Sequence, residues 1–103
     1  MPPLSYNSHM SSDEAGLAER LAREGLRPRR WANGPDAVYG EHAHPYGKVL
    51  VVASGSIAFT INRGERVVTM KRGNRLELPP RTLHSAVVGA EGVVCFEAHV
   101  RRK

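Results

Sequence analysis

The pattern of apolar and polar residues divides the chain into one helical segment followed by a series of short strands. Apolar residues recur at helical spacing after a polar run: Leu17, Ala18, Leu21 and Ala22. The polar run at 11–14, Ser-Ser-Asp-Glu, has the form of a capping box, and Gly25 is a suitable helix stop. We therefore predict a helix over 12–24, preceded by a flexible tail over 1–11.

From Leu26 onward the pattern changes to that of strands. Ile57, Phe59 and Ile61 alternate with small or polar residues, as in a strand with one buried face. Turn signals rich in glycine and asparagine separate such segments. The predicted strands lie near 37–44, 48–53, 56–62, 66–71, 75–79, 83–88 and 93–101. Short strands at this spacing are typical of a sandwich or small barrel, so the predicted fold class is all-β with one N-terminal helix.

Length and composition indicate one domain, over 12–103, because a chain of 103 residues accommodates a single core. The longest unbroken apolar run, 49–53, is far shorter than the ~20 residues of a membrane span. The N-terminal residues lack the pattern of a signal peptide. Cys95 is the single cysteine, so no intrachain disulfide forms, and its apolar neighbours favour a buried thiol. We expect a cytoplasmic protein without a membrane partner.

The net charge of +5 raises the question of nucleic acid. The basic clusters are separated along the chain, carry little aromatic interleaving, and accompany no nucleic-acid motif. We interpret them mostly as solvated surface and do not favour a nucleic-acid partner, so an accessory role in nucleic-acid binding is a third and weaker hypothesis.

Two histidines one residue apart are the first candidate for chemistry. His42 and His44 would share a face of the predicted strand 37–44. They are either two ligands of a divalent ion or two polar residues on an outer face, since this short motif is weak by itself. A catalytic metal commonly takes three protein ligands, and His84, after a proline turn, is the candidate for the third.

These segments resemble the paired motifs of the cupin superfamily. The first family motif has His-x-His, then a glutamate, then a glycine, and the second has Gly-x5-Pro-x-Gly-x2-His. The matching residues are His42, His44, Gly55, Gly73, Pro79 and His84. The resemblance implies a double-stranded β-helix (jelly-roll) barrel in which His42, His44 and His84 hold a divalent metal. The alternative is a barrel that keeps the fold with an empty site.

The chain also departs from the family pattern. Asp36 and Arg81 stand where the motifs have glycine, and Val88 where the second motif has asparagine. The largest departure is Lys48, which holds the glutamate position. At ~5 Å and an effective dielectric near 20, a unit charge interacts with a dication by roughly 6 to 7 kcal/mol, so a charged lysine there needs compensation.

Three arrangements of Lys48 remain open. Its ammonium reaches the rim, it is neutral in the pocket, or it pairs with a carboxylate. The candidate partners are Glu41, Glu77 and Glu97. Glu97 and His99 share a face of the last strand, and we expect that face to be solvated because Val94 and Phe96 favour the core.

The candidate pocket residues are Lys48, Tyr46, Phe59, Met70 and Leu76. Three neutral imidazoles favour a transition metal (zinc, nickel, iron, copper or manganese) over magnesium or calcium.

The resemblance implies a fold rather than a reaction. One hypothesis is a metal-dependent enzyme, of oxygenase or isomerase type, acting on a small organic molecule. The other is a non-catalytic ligand-binding or sensing module, with or without metal, in which Lys48 or Arg75 receives an anionic group. We also expect a homodimer, formed through an open sheet edge or the helix face at Leu17 and Leu21.

Overall fold

The structure, a computed structural model, describes the backbone of residues 10–100 and the side chains from Glu14 onward. The predicted tail therefore lies almost wholly outside the described residues, as do the serine side chains of the predicted cap. The elements are α1 (Met10–Arg23), β1 (Arg29–Asn33), β2 (Val38–His42), β3 (Gly47–Ile61), β4 (Arg66–Lys71), β5 (Arg75–Leu78) and β6 (His84–Val100). The fold class, antiparallel β with one helix, is the predicted one.

Helix α1 begins two residues before the predicted start and ends at Arg23, just before the predicted stop at Gly25. Gly25 adopts φ 84°, and the amides of Gly25 and Leu26 donate to the carbonyls of Ala22 and Leu21 at 2.9 and 3.1 Å. This pair of bonds is the Schellman motif, which satisfies carbonyl groups that the helix end leaves free.

Two long strands replace four of the predicted short ones. β3 joins the predicted strands 48–53 and 56–62, and β6 joins 83–88 and 93–101. The turn signals at their centres produce bends instead of chain reversals, because the ladder between β3 and β6 continues through register shifts near Gly55. Gly55 and Gly92 have φ of 75° and 78°, so each strand bends at a glycine.

The bends divide the sheet into two layers. In one layer, β1 and β5 flank the C-terminal half of β6 and the N-terminal half of β3. In the other, β2 and β4 flank the N-terminal half of β6 and the C-terminal half of β3. Two layers that share their central strands in this way form a jelly-roll sandwich.

Strand β1 was not predicted. Its sequence, Arg-Arg-Trp-Ala-Asn, has only Trp31 as a large apolar residue. The alternation of apolar and polar residues that predicts a strand is therefore almost absent. β1 nevertheless pairs with β6 over its whole length, with Trp31 opposite Cys95. Because it lies at the edge of its layer, its charged residues remain in solvent.

The main core fills the space between the layers. It contains Leu50, Val52, Ile57, Phe59, Met70, Leu78, Ala86, Val88, Val93 and Cys95. Cys95 is fully buried, as expected of a thiol that packs as a small hydrophobe.

A second apolar cluster lies on the outer face of the first layer, where α1 packs. Leu21, 1% exposed, belongs to this cluster together with Val49, Val51, Ala53 and Phe96. The helix face at Leu17 and Leu21 is therefore covered by the chain's own sheet and is not a free dimer surface. Homodimer formation stays a prediction that rests on the sheet edges alone. Among the described residues, no helix is long and apolar enough to cross a membrane.

Candidate metal centre

The three histidines converge at one end of the second layer. His42 is the last residue of β2 and pairs directly with His84, the first residue of β6. The predicted strand 37–44 is shorter than expected, so His44 lies in the loop after β2 rather than on the strand. The convergence of His42 and His44 therefore depends on the conformation of the loop after β2, and not only on the rule that alternate strand residues share a face.

A backbone contact holds that loop against the proline turn that precedes His84. The amide of Arg81 donates to the carbonyl oxygen of His44 at 2.6 Å, and the hydroxyl of Thr82 donates to the carbonyl of Pro79 at 2.7 Å. Arg81 and Asp36, the two residues at the motif's glycine positions, have φ of 61° and 62°. The chain therefore keeps the left-handed backbone that glycine favours without having glycine there.

The donor atoms of His42, His44 and His84 are close enough to share one ion. One ligand atom from each lies within 4.8 Å of the others. Nitrogen–metal bonds of about 2 Å place two ligands of one ion up to roughly 4 Å apart, so small side-chain adjustments close the site. His84 is 3% exposed, whereas His42 lies nearer to solvent.

Each ring has its second nitrogen held by a neighbouring group. Nδ1 of His42 donates to the carbonyl of Gly40 at 2.7 Å, and Nδ1 of His84 donates to the carbonyl of Thr82 at 2.9 Å. Nδ1 of His44 lies 3.2 Å from the hydroxyl of Tyr46. A proton on Nδ1 leaves a lone pair on Nε2, which is how metal-binding histidines are commonly oriented.

Nε2 of His44 is the one buried side-chain nitrogen or oxygen among the described residues with no hydrogen-bond partner. Buried polar atoms are rarely left unpaired, so this atom fits a ligand that is bound in the functional protein. The residues present therefore fit a metal ion of the kind that the resemblance implies.

The surroundings of the site favour neutral imidazoles. Burial, then the nearby charge of Lys48, lowers the pKa of His44. Burial is also the main cause that lowers the pKa of His84, against the opposing effect of its bond to Thr82. Rings whose pKa lies below the usual 6.5 are neutral at pH 7 and keep the lone pair that a metal needs.

A cavity of about 330 Å³ adjoins the histidines between the layers. It is lined by Trp31, Asn33, Tyr39, His42, His44, Lys48, Leu50, Ile57, Phe59, His84, Ala86 and Glu97. Of the predicted pocket residues, Lys48 and Phe59 line it. Tyr46 instead stacks on His44, while Met70 is buried in the core and Leu76 packs against that core.

Lys48 adopts the paired arrangement rather than the solvated one. Its ammonium lies 3.3 Å from Oε1 of Glu97, and the two side chains are only 12% and 22% exposed. The indole of Trp31 donates to the same oxygen at 2.9 Å. Glu41 and Glu77, the other candidate partners, lie beside Arg63 and Arg75 instead.

The expectation that Glu97 faces solvent is therefore wrong. Both faces of β6 are covered at this point, one by the other layer and one by α1, so Phe96 can be buried while Glu97 faces the cavity. His99 is exposed, as expected, and stacks on Tyr46 with ring centres 3.8 Å apart. The apolar helix face at Leu17 and Leu21 signals in the sequence that some outer face is covered, but its position over β6 is a tertiary contact.

Arg75 is not placed to receive an anionic ligand. Its guanidinium makes two bonds of 2.7 Å to the carboxylate of Glu24, at the end of α1, and a further contact to Glu77. These bonds, above all, raise the pKa of Arg75. Arg75 therefore links the end of α1 to β5 through an ion pair, and it does not line the cavity.

Comparison with solved structures identifies the fold. The chain is similar to a structure of DMSP lyases, with 21% identity and a TM-score of 0.67 over 74% of this chain and 38% of that one. It is similar to the cupin domain of Cnp3 from Schizosaccharomyces pombe, with 16% identity and a TM-score of 0.67 over 75% and 56%. An RmlC-like cupin from Shewanella frigidimarina gives 20% identity and a TM-score of 0.62 over 76% and 68%.

The chain has the cupin fold. The predicted jelly-roll architecture is thus confirmed by both the structure and these neighbours. The chain spans only 38% of the DMSP lyase chain, so the activity of that protein does not transfer with the fold. No family model matches the sequence, and no curated protein matches it.

Proposed function

We propose that this cupin is a metal-dependent enzyme that acts on a small organic molecule, with His42, His44 and His84 as ligands of one transition-metal ion. The observation that carries the proposal is the buried, unpartnered Nε2 of His44 beside the other two rings. Structural zinc sites commonly have four protein ligands, whereas three leave a position open for substrate or water. The three-histidine group therefore favours a catalytic over a structural site.

The cavity supports a small organic substrate. Its volume of about 330 Å³ is at the lower end of the range for small-molecule sites. Trp31, Leu50, Ile57 and Phe59 give it an apolar wall, and the histidines lie at one end with Lys48 and Glu97. An apolar wall with a few polar groups at one end binds and orients a molecule that carries both kinds of surface.

The residues of the chain have distinct roles in this proposal. A bound ion would supply Lewis acidity, or a centre for oxygen chemistry, at the open position. The carbonyls of Gly40 and Thr82 orient His42 and His84, and Trp31 and Phe59 hold the apolar part of the substrate and exclude water. Nitrogen donors without a carboxylate favour zinc, nickel, copper or iron(II) over magnesium and calcium.

The first experiment measures metal content and affinity. Purified protein is analysed by mass spectrometry for bound metals, and the metal-free form is titrated with zinc, nickel and iron(II) by calorimetry. We expect one ion per chain, lost in His84→Ala and kept in His99→Ala, which changes an exposed histidine outside the three-histidine group. Absence of binding in the wild type, or equal binding in both variants, would reject the metal site.

A second candidate function is a non-catalytic ligand-binding module. It is favoured by the donor set, because the three-histidine group contains no carboxylate and the motif's glutamate position holds Lys48. The metal-loaded protein separates the candidates when it is tested against a panel of small acids, sugars and alcohols. Oxygen uptake or substrate conversion that is lost in His84→Ala supports the enzyme, whereas stoichiometric binding with no conversion supports the module.

A further inference from the structure

We propose that Glu97 supplies, from β6, the negative charge that the cupin motif supplies from β3, and so allows this centre to hold a dication beside Lys48. The inference rests on the proposed metal site but concerns a residue outside it. Glu97 is thus a positioning and charge-compensating residue, acting through Lys48 rather than as a ligand.

The position of Lys48 makes such compensation necessary. Lys48 and Glu97 both line the cavity that adjoins the three histidines, and the side chain of Lys48 is only 12% exposed. Lys48 is, after burial, a lesser cause that lowers the pKa of both His44 and His84. Because water screens so little here, an unpaired ammonium would oppose a divalent ion at the same site.

The structure holds Glu97 for this role from two sides. Its Oε1 accepts the hydrogen bond of the Trp31 indole and contacts the Lys48 ammonium at 3.3 Å. In the ladder between β3 and β6, Glu97 is opposite Leu50 and His99 is opposite Lys48, so the ion pair is diagonal across the strands. The carboxylate therefore lies on β6, the neighbour of β3, and is opposite Leu50 rather than at the motif position, which Lys48 holds.

The pair accounts for the charge balance of the cavity. Among the residues that line it, Lys48 is the one lysine or arginine and Glu97 the one carboxylate, so their charges cancel. With neutral histidines, the centre then presents a dication and no further net charge. Removal of Glu97 alone raises the net charge of the cavity by one unit, whereas removal of both residues leaves that net charge unchanged.

The experiment is a set of zinc titrations by calorimetry at one pH and ionic strength. Glu97→Gln keeps the shape of the side chain and should weaken zinc binding at least about tenfold, because Lys48 loses its partner. Lys48→Met should tighten binding by about tenfold. The double variant Lys48→Met/Glu97→Gln should return to within about threefold of the wild type. Glu91→Gln, an exposed carboxylate on the same strand, is the matched control and should change nothing.

The outcomes discriminate between the roles. Unchanged affinity in Glu97→Gln overturns the inference, and so does a double variant as weak as Glu97→Gln, since Glu97 would then be a direct ligand. Thermal unfolding of the metal-free variants detects a merely structural effect. Should Glu97→Gln fail to fold, the double variant decides, because the inference requires its zinc affinity to be weaker than that of Lys48→Met and within about threefold of the wild type. Loss of zinc binding in the wild type would instead reject the metal site itself.

Discussion

His42 and His84 are direct partners in the ladder between β2 and β6, and each is the terminal residue of its strand. A metal ion bound by both rings would link the end of β2 to the start of β6. His44 would link the loop after β2 to the same ion. The proposed metal centre therefore lies where two strand ends of the second layer would otherwise be free to separate.

This placement predicts that metal binding stabilises the fold. A free zinc concentration one hundred times the dissociation constant should raise the free energy of unfolding by about 2.7 kcal/mol, because the unfolded chain does not hold the site together. Thermal unfolding with and without zinc measures the effect, and a chelator should reverse it. His84→Ala should show no increase, and a zinc-dependent increase of equal size in that variant would contradict the prediction.

A second prediction concerns a carboxylate in place of Lys48. Lys48→Glu adds an oxygen donor and removes a positive charge beside the three histidines, so divalent binding should tighten by at least about tenfold. The substitution also places a second carboxylate beside that of Glu97, and the two repel each other when no metal is present. The metal-free variant should therefore unfold at a lower temperature than the wild type, while the zinc-loaded variant should not.

Calorimetry and thermal unfolding measure the two effects on the same samples. Lys48→Ala, which removes the charge without adding a donor, is the control and should fall between the wild type and Lys48→Glu. Zinc affinity that falls in Lys48→Ala as far as in His84→Ala would mean that Lys48 supports the metal directly.

The sequence sufficed for the parts of this molecule that depend on spacing. The order of two short motifs indicated the fold, and it also indicated the three histidines that the structure brings together. The period-two pattern found the segments of β3 and β6 but divided both strands at Gly55 and Gly92. A glycine at positive φ occurs in a turn and in a bent strand alike, so composition alone does not distinguish them.

The parts that sequence analysis missed depend on contacts between distant segments. Trp31 lines the cavity from a strand whose remaining residues are exposed and mostly polar. Glu97 was assigned to the wrong face because the outer cover of β6 by α1 is a tertiary contact. The choice of Glu97 over Glu41 and Glu77 as the partner of Lys48 likewise required the register of the strands.

A third prediction concerns the bend of β3 at Gly55, which lies close to the bend of β6 at Gly92. An added Cβ at Gly55 would overlap the carbonyl oxygen of Gly92, and Gly55 has φ 75°. Gly55→Ala should therefore lower the free energy of unfolding by at least about 2 kcal/mol. Gly16→Ala, in α1 with no atom near the added group, is the matched control and should stabilise by about 0.5 to 1 kcal/mol. Urea unfolding measures both, and a neutral Gly55→Ala would show that the bend is adaptable.

A fourth prediction concerns the thiol of Cys95. Burial raises its pKa to about 12, and the side chain is fully buried in the core, on the part of β6 that pairs with β1. At pH 8, four units below that pKa, only about one thiol in 10,000 is ionised, so a disulfide reagent should react very slowly with the native protein. The unfolded protein in guanidinium chloride is the control and should react at once. Equally fast labelling of both forms would show that the barrel opens readily at β1.

The last prediction concerns Arg81, which adopts φ 61° at a position where the cupin motif has glycine. The left-handed conformation costs a residue with a side chain roughly 1 to 2 kcal/mol, part of which glycine returns through its greater freedom in the unfolded state. Arg81→Gly should thus stabilise the fold by about 0.5 to 1 kcal/mol in urea unfolding. Arg66→Gly, the same change at the start of β4, should instead destabilise it. The bond from residue 81 to the carbonyl of His44 comes from the backbone amide, which glycine keeps, so zinc affinity should remain within about twofold. A marked loss of affinity would mean that the arginine side chain itself supports the site.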